Sequence, residues 1–112
     1  MCLFCKIAKK EIPSKVVLEN DHVLAFHDIN PAAPKHVLVI PKEHVTSIHD
    51  VSRDHAVMLG ELMLAGREVA EQLGLGESGY RMVLNTGKDA GQSVFHLHLH
   101  VIGGRQMAWP PG

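Results

Sequence analysis

Cysteine is scarce in this 112-residue chain: Cys2 and Cys5 are the only two, too few for a disulfide-stapled scaffold. Charge of one sign is missing too. Eleven Lys and Arg against twelve Asp and Glu leave a net charge of -1, which argues against a basic nucleic-acid binder. No apolar run approaches the length of a membrane-spanning helix, and Met1-Cys2-Leu3-Phe4-Cys5-Lys6 lacks the shape of a signal peptide. No membrane or nucleic-acid partner is therefore expected, and the expected location is cytoplasmic. Without internal repeat, low-complexity tract or Ser/Gly linker, residues 1–112 are expected to form a single domain. Histidine, by contrast, is plentiful: nine in so short a chain, and their placement is the informative feature.

The pattern along the chain predicts an α+β domain, a mainly antiparallel sheet of about five strands with one long helix. Cys2–Glu11 reads as a short helix closed off by Pro13. Val16–Glu19 and Val23–Asp28 read as a hairpin around the Asn20-Asp21 turn. After an irregular stretch marked by Pro31 and Pro34, Val37–Ile40 is a continuous apolar run, as a buried strand would be. The long helix is expected over Arg53–Leu73, with Ser52 as N-cap, Gly74 after its end and a buried face of Leu59, Leu62, Met63, Gly66, Val69, Ala70 and Leu73. Tyr80–Asn85 and a long Ser93–Ile102 complete the strands, with the loop Thr86–Gln92 between them.

His96-Leu97-His98-Leu99-His100 is the strongest local signal. Side chains alternate along a strand, so three imidazoles line one face and leucines the other. Two chemistries suit such a row: a metal site, or nucleophilic attack on phosphorus by one imidazole with its neighbours donating to phosphate oxygens. Gly91-Gln92-Ser93 directly upstream suits close approach of a ligand to the backbone. Asn85-Thr86-Gly87-Lys88 hints at a phosphate loop but fails the Walker pattern, with Met82 where its first Gly belongs and Asp89 where Ser or Thr belongs. Cys2-Leu3-Phe4-Cys5 is a C-x-x-C, metal-binding or redox-active in a cytosolic chain. Zinc would need two further ligands, for which His44 and His96 are the candidates.

His96-Leu97-His98-Leu99-His100-Val101-Ile102 resembles the histidine triad signature. Gly91–Phe95 before it, Gly103-Gly104-Arg105 after it and the tail Met107–Gly112 resemble the Hint branch of that family, as do the blocks Ala25–Pro31, Ala33–His36 and Val39–His44. The resemblance implies a homodimeric purine nucleoside phosphoramidase that cleaves AMP– or GMP–amine conjugates, its two sheets joined into one. It implies His98 as nucleophile, with the His96 main-chain carbonyl holding its other ring nitrogen. His36 and His100 would contact the phosphate and relay protons, and Ser93 would reach the phosphate or the amine. Asn85, Gly91 and Gln92 would line the same pocket, Asp28 would accept the ribose hydroxyls, and Phe26, His27 and Ile29 would border the purine. Trp109, in the 103–112 tail, would lie near the other protomer's site. The resemblance also implies a structural Zn²⁺ on Cys2, Cys5, His44 and His96, with no cofactor required for catalysis. The alternatives are hydrolysis of diadenosine polyphosphates, a metallohydrolase using His96, His98 and His100 as ligands, and a non-catalytic nucleotide-binding regulator.

Overall fold

The computed structural model describes residues 2–112. A five-stranded antiparallel sheet runs in the order β1-β2-β3-β5-β4. Its strands are β1 (Val16–Glu19), β2 (Val23–His27), β3 (Lys35–Pro41), β4 (Tyr80–Val83) and β5 (Leu99–Gly103). Helix α1 is Leu3–Ala8 and helix α2 is Ala56–Gln72. The β1–β2 hairpin turns where Asn20 Oδ1 accepts the backbone N–H groups of His22 and Val23. Chain order and sheet order part at the end: β5 inserts between β3 and β4, so the last strand lies inside the sheet. No described helix is long and apolar enough to cross a membrane.

The pleat sorts the residues onto two faces. Val23, Ala25, Val37, Val39, Leu99 and Val101 face α2 and form the larger core with Met58, Leu62, Ala65, Val69 and Ala70. Truncating a residue as buried as Leu62 or Leu99 to alanine costs about 2–5 kcal/mol. Helix and sheet approach closely at Gly66, where a Cβ would come within 2.8 Å of Met82 and 2.9 Å of Leu99. On the opposite face Leu24, Phe26, Leu38 and Ile40 pack beneath Phe4 and Ile7 of α1. The same face carries the histidines.

Several features differ from the sequence expectation: α1 ends at Ala8 rather than Glu11, β4 ends at Val83 rather than Asn85, and three further differences have clear causes. The strand expected over Ser93–Ile102 is paired only from Leu99, because the preceding residues leave the ladder and Leu97 N–H bonds to the Val45 carbonyl instead. The helix expected from Arg53 begins as a 3₁₀ turn, Arg53–His55, and becomes α-helical at Ala56. Ser52 caps that turn, and His55 Nδ1 reciprocally accepts the Ser52 N–H. Met63 lies on the exposed side of α2, since the buried stripe is centred on Met58, Leu62, Ala65 and Val69. Gly74 takes the expected left-handed conformation past the helix end, with φ 73°.

Candidate active site

His98 sits just ahead of β5 in the buried layer under α1. Its Nδ1 is 2.7 Å from the main-chain oxygen of His96. A carbonyl oxygen only accepts, so the ring proton is on Nδ1 and the lone pair is on Nε2. The ring is thereby held with one defined unprotonated nitrogen.

His36 on β3 and His100 on β5 are diagonal neighbours across the ladder, on one face of the sheet. The same tautomer logic applies. Ala32 N–H donates to His36 Nδ1 at 2.9 Å, which places the His36 proton on Nε2. That Nε2–H is 2.9 Å from His100 Nδ1 and 3.4 Å from Asp28 Oδ2. His100 then carries its own proton on Nε2, which is buried and has no partner among the described residues. A buried donor left unpaired costs about 1–3 kcal/mol, so the site is built to receive an acceptor such as a phosphoryl oxygen. Burial pushes His100 down to about 4, helped by His98 and His36 and opposed by Asp28. Burial also lowers His36, against the pull of Asp28. Both rings are therefore neutral donors at pH 7.

At the other end of the run, Cys2 Sγ, Cys5 Sγ, His44 Nδ1 and His96 Nδ1 close a four-cornered cluster. Its six edges run from 2.9 to 3.5 Å. Tetrahedral zinc with thiolate and imidazole ligands needs edges of about 3.3–3.8 Å, so mainly the sulfur pair must open, by under ~1 Å. His96 Nε2–H donates to the Pro41 carbonyl at 2.9 Å, which leaves Nδ1 as the lone-pair donor facing the thiols. Burial and the adjacent Cys2 push the Cys5 thiol up, a repulsion that a bound cation would relieve. The donors and the orientation of His96 both fit a structural metal. Asp28, His36 and His100 also stand within ligand distance of one another. They fit poorly, because the nitrogen His36 turns towards its neighbours is the protonated one.

Residues 9–107 match the HIT domain family. The chain belongs to the histidine triad family. A maize "14 kDa zinc-binding protein" is 53% identical over 98% of this chain and 87% of that protein. The "Adenylylsulfatase HINT1" of Arabidopsis thaliana is 51% identical over 98% of this chain and 76% of that protein. The crystal structure of a HIT family hydrolase from Legionella pneumophila Philadelphia 1 superposes with a TM-score of 0.98, at 51% identity and with all of both chains covered. These relatives set the chain in the Hint branch.

In this histidine triad protein the three named histidines do not share one centre. His96 joins the cysteine cluster, His100 joins His36 and Asp28, and His98 stands between them in neither group. The metallohydrolase arrangement with all three as ligands is overturned by this split. Asp28 follows β2 directly, with Oδ1 accepting the Asn30 N–H at 2.8 Å. Ser93 and Gly91 are exposed and Asn85 is half-buried, all in the stretch leading to His96. The Gln92 amide is spent within the fold: Oε1 accepts from Gly87 N–H, and Nε2 donates to the Thr46 and Val94 carbonyls. It braces the loop ahead of the histidines. Phe26 is buried with Phe4 and Ile7, whereas His27 and Ile29 are exposed. Trp109 stands in solvent, and Arg81 holds the tail by donating to the Ala108 carbonyl. Sequence reasoning missed Phe4, whose ring lies 5.1 Å from that of His98 at 83°. Its signal was its place inside the C-x-x-C, on a turn of helix that has to cover the histidine face.

Proposed function

We propose that this chain hydrolyses the P–N bond of purine nucleoside 5′-phosphoramidates, AMP or GMP joined to an amine, through a covalent nucleotidyl-His98 intermediate. One observation carries the proposal: a tautomer-locked His98 with a free Nε2 lone pair stands beside a buried, unpartnered His100 Nε2–H. In the first step Nε2 attacks phosphorus and the P–N bond breaks. The positive charge that develops on the ring is stabilised through Nδ1–H by the His96 carbonyl. His100 donates to a phosphoryl oxygen, and His36, aligned by Ala32 and Asp28, supports it. The departing amine takes up a proton relayed on the side of Ser93 and His100. Water then attacks phosphorus, AMP leaves and His98 is restored. Asp28 would receive the ribose hydroxyls, and the exposed His27 and Ile29, backed by Phe26, would border the purine, with Asn85, Gly91 and Gln92 at the rim.

Cys2, Cys5, His44 and His96 would hold a structural Zn²⁺, in keeping with the donor set and the name of the maize relative. Zinc there fixes chain geometry and takes no part in either step. The working form would be a homodimer whose sheets join. Its 103–112 tail would reach the second site, for which the exposed Trp109, Val57 and Leu64 provide apolar surface. A cytoplasmic location would keep the thiols reduced.

The test is AMP release from adenosine 5′-phosphoramidate. The wild type should turn over, while His98→Ala should bind AMP without releasing it from the substrate. Retained turnover in that variant refutes the covalent route. AMP binding with no hydrolysis by the wild type would favour the non-catalytic regulator. A second reading, cleavage of an adenylyl–sulfate mixed anhydride, rests on the name of the Arabidopsis relative. Sulfate leaves without a proton, so loss of Ser93 would slow the phosphoramidate reaction far more than the sulfate one. Diadenosine polyphosphates in the same assay separate the remaining alternative.

A further inference from the structure

Helix α1 is six residues long, too short to hold itself together in water. It is nevertheless fixed over the histidine face at three places. Its N-terminal end carries Cys2 and Cys5 into the cluster with His44 and His96. Its middle inserts Phe4 and Ile7 into the apolar layer of Leu24, Phe26, Leu38 and Ile40. Just past its C-terminal end, Lys10 pairs with Glu19 Oε1 at 2.7 Å, while Lys42, which follows β3, holds the other oxygen at 2.8 Å. Phe4 is the hub of this arrangement. Its ring stands near-perpendicular to three others: His98 at 5.1 Å and 83°, Phe26 at 5.7 Å and 72°, and His96 at 6.1 Å and 76°. These separations are the favoured range for edge-to-face pairs.

We propose that Phe4 is a positioning residue for the nucleophile, and that the Cys2–Cys5–His44–His96 cluster is the clamp that seats it. The inference rests on the reading of His98 as nucleophile. His98 can turn about its side-chain bonds while keeping only one hydrogen bond, that of Nδ1 to the His96 carbonyl. A single bond fixes the nitrogen but leaves the plane of the ring free to tilt about it. Rings packed edge-to-face restrict that freedom: His100 stands 5.0 Å from His98 at 61°, and Phe4, at 5.1 Å and 83°, is the apolar one, which needs no hydrogen bond of its own. Two of the four cluster donors flank Phe4 on α1, and a third is His96, whose carbonyl supplies that hydrogen bond. The clamp therefore reaches His98 by two routes, one through α1 and one through the backbone of residue 96. Misplacing a reacting atom by about 1 Å can cost ~100-fold in rate, so a tilt of this ring lowers the rate of chemistry without altering the groups that hold the nucleotide.

The test compares zinc-loaded wild type, zinc-loaded Phe4→Leu and chelator-stripped wild type, each first shown to be folded by thermal melting. Two readouts are taken. The substrate-free readout is the imidazole ¹H–¹⁵N spectrum. His98 should give one sharp Nδ1-protonated signal set in the loaded wild type, and broadened or doubled signals in the other two samples. The second readout is single-turnover AMP release beside AMP affinity: the rate should fall about tenfold in both altered proteins while AMP affinity stays within about twofold. Unchanged His98 signals and unchanged rate in Phe4→Leu would overturn the positioning role. A loss of AMP affinity with the rate constant preserved would overturn it also, because Phe4 would then be touching the ligand. An unaltered His98 spectrum after zinc removal would overturn the clamp. The spectrum needs no substrate, so a wild type that hydrolyses nothing would sink the proposed function and leave this test standing.

Discussion

His96 and His100 are four residues apart, sit on the same side of the same extended segment and do opposite things. His96 points its Nε2–H at a backbone carbonyl and donates a hydrogen bond there, so its other nitrogen is a bare lone pair facing two thiols. His100 Nδ1 accepts a hydrogen bond from His36, so the nitrogen it is left with is a donor. Each role follows from what the other nitrogen meets: at one end a carbonyl, at the other a ring whose own proton was placed by the Ala32 amide. A histidine's chemistry here is set by its backbone neighbours, and an imidazole row can host a metal at one end and a proton-donating site at the other.

The comparison breaks first at its midpoint. His98→Ala should lower phosphoramidate turnover by more than ~10³-fold with AMP binding retained, as measured by steady-state kinetics and calorimetry. The next effect separates the two ends. Zinc titration of the loaded and stripped protein should find one tight site per chain. Cys5→Ser should lose it, lowering Tm by about 10 °C, whereas His36→Asn should keep it. A second equivalent bound tightly in a His36-dependent way would show that the tautomer argument fails. A smaller effect appears with pH in zinc-free protein. His36 and His100 have folded values below the usual 6.5, His100 at about 4. Below 6.5 the unfolded chain therefore takes up protons that the folded chain refuses. Stability should be held above that pH and fall as pH drops towards 4. Tm against pH should slope less steeply across that window in His100→Asn. The smallest effect lies outside both ends. Lys10, and then Lys42, hold Glu19 down to about 2 on an exposed surface. Glu19→Gln should shift Tm by only ~1 °C, a difference that added salt removes.

Much of this was legible in the sequence because two periodicities are strict. Alternation of His and Leu from 96 to 100 assigns faces even though only Leu99 and His100 of that run lie in the paired strand. The C-x-x-C marks two candidate donors, and His44 and His96, the other two candidates, do stand beside them. What was not legible depends on contacts between segments far apart. The division of the row into two centres needs Pro41 and Ala32, and no local pattern marks either as a partner. Phe4 reads as one apolar residue on a short helix until that helix is laid over the histidines. His55 carries no signal for its capping role beyond its three-residue spacing from Ser52, and Gln92 acts through the Thr46 carbonyl, which is remote in sequence.

The cluster also bears on how the chain comes to be folded. It joins Cys2 to His96 across 94 positions, and the strand that follows His96 lies inside the sheet, between β3 and β4. A cross-link closing a loop of that length removes on the order of 4–5 kcal/mol of disorder from the open chain in the simplest polymer account. A growing polypeptide therefore has neither the four-donor cluster nor His98 until the last quarter has emerged. Until then the sheet lacks the interior strand β5, and α1 can pack on β2 and β3 but not on the histidines. The four-donor cluster therefore closes only when the two ends of the chain have met.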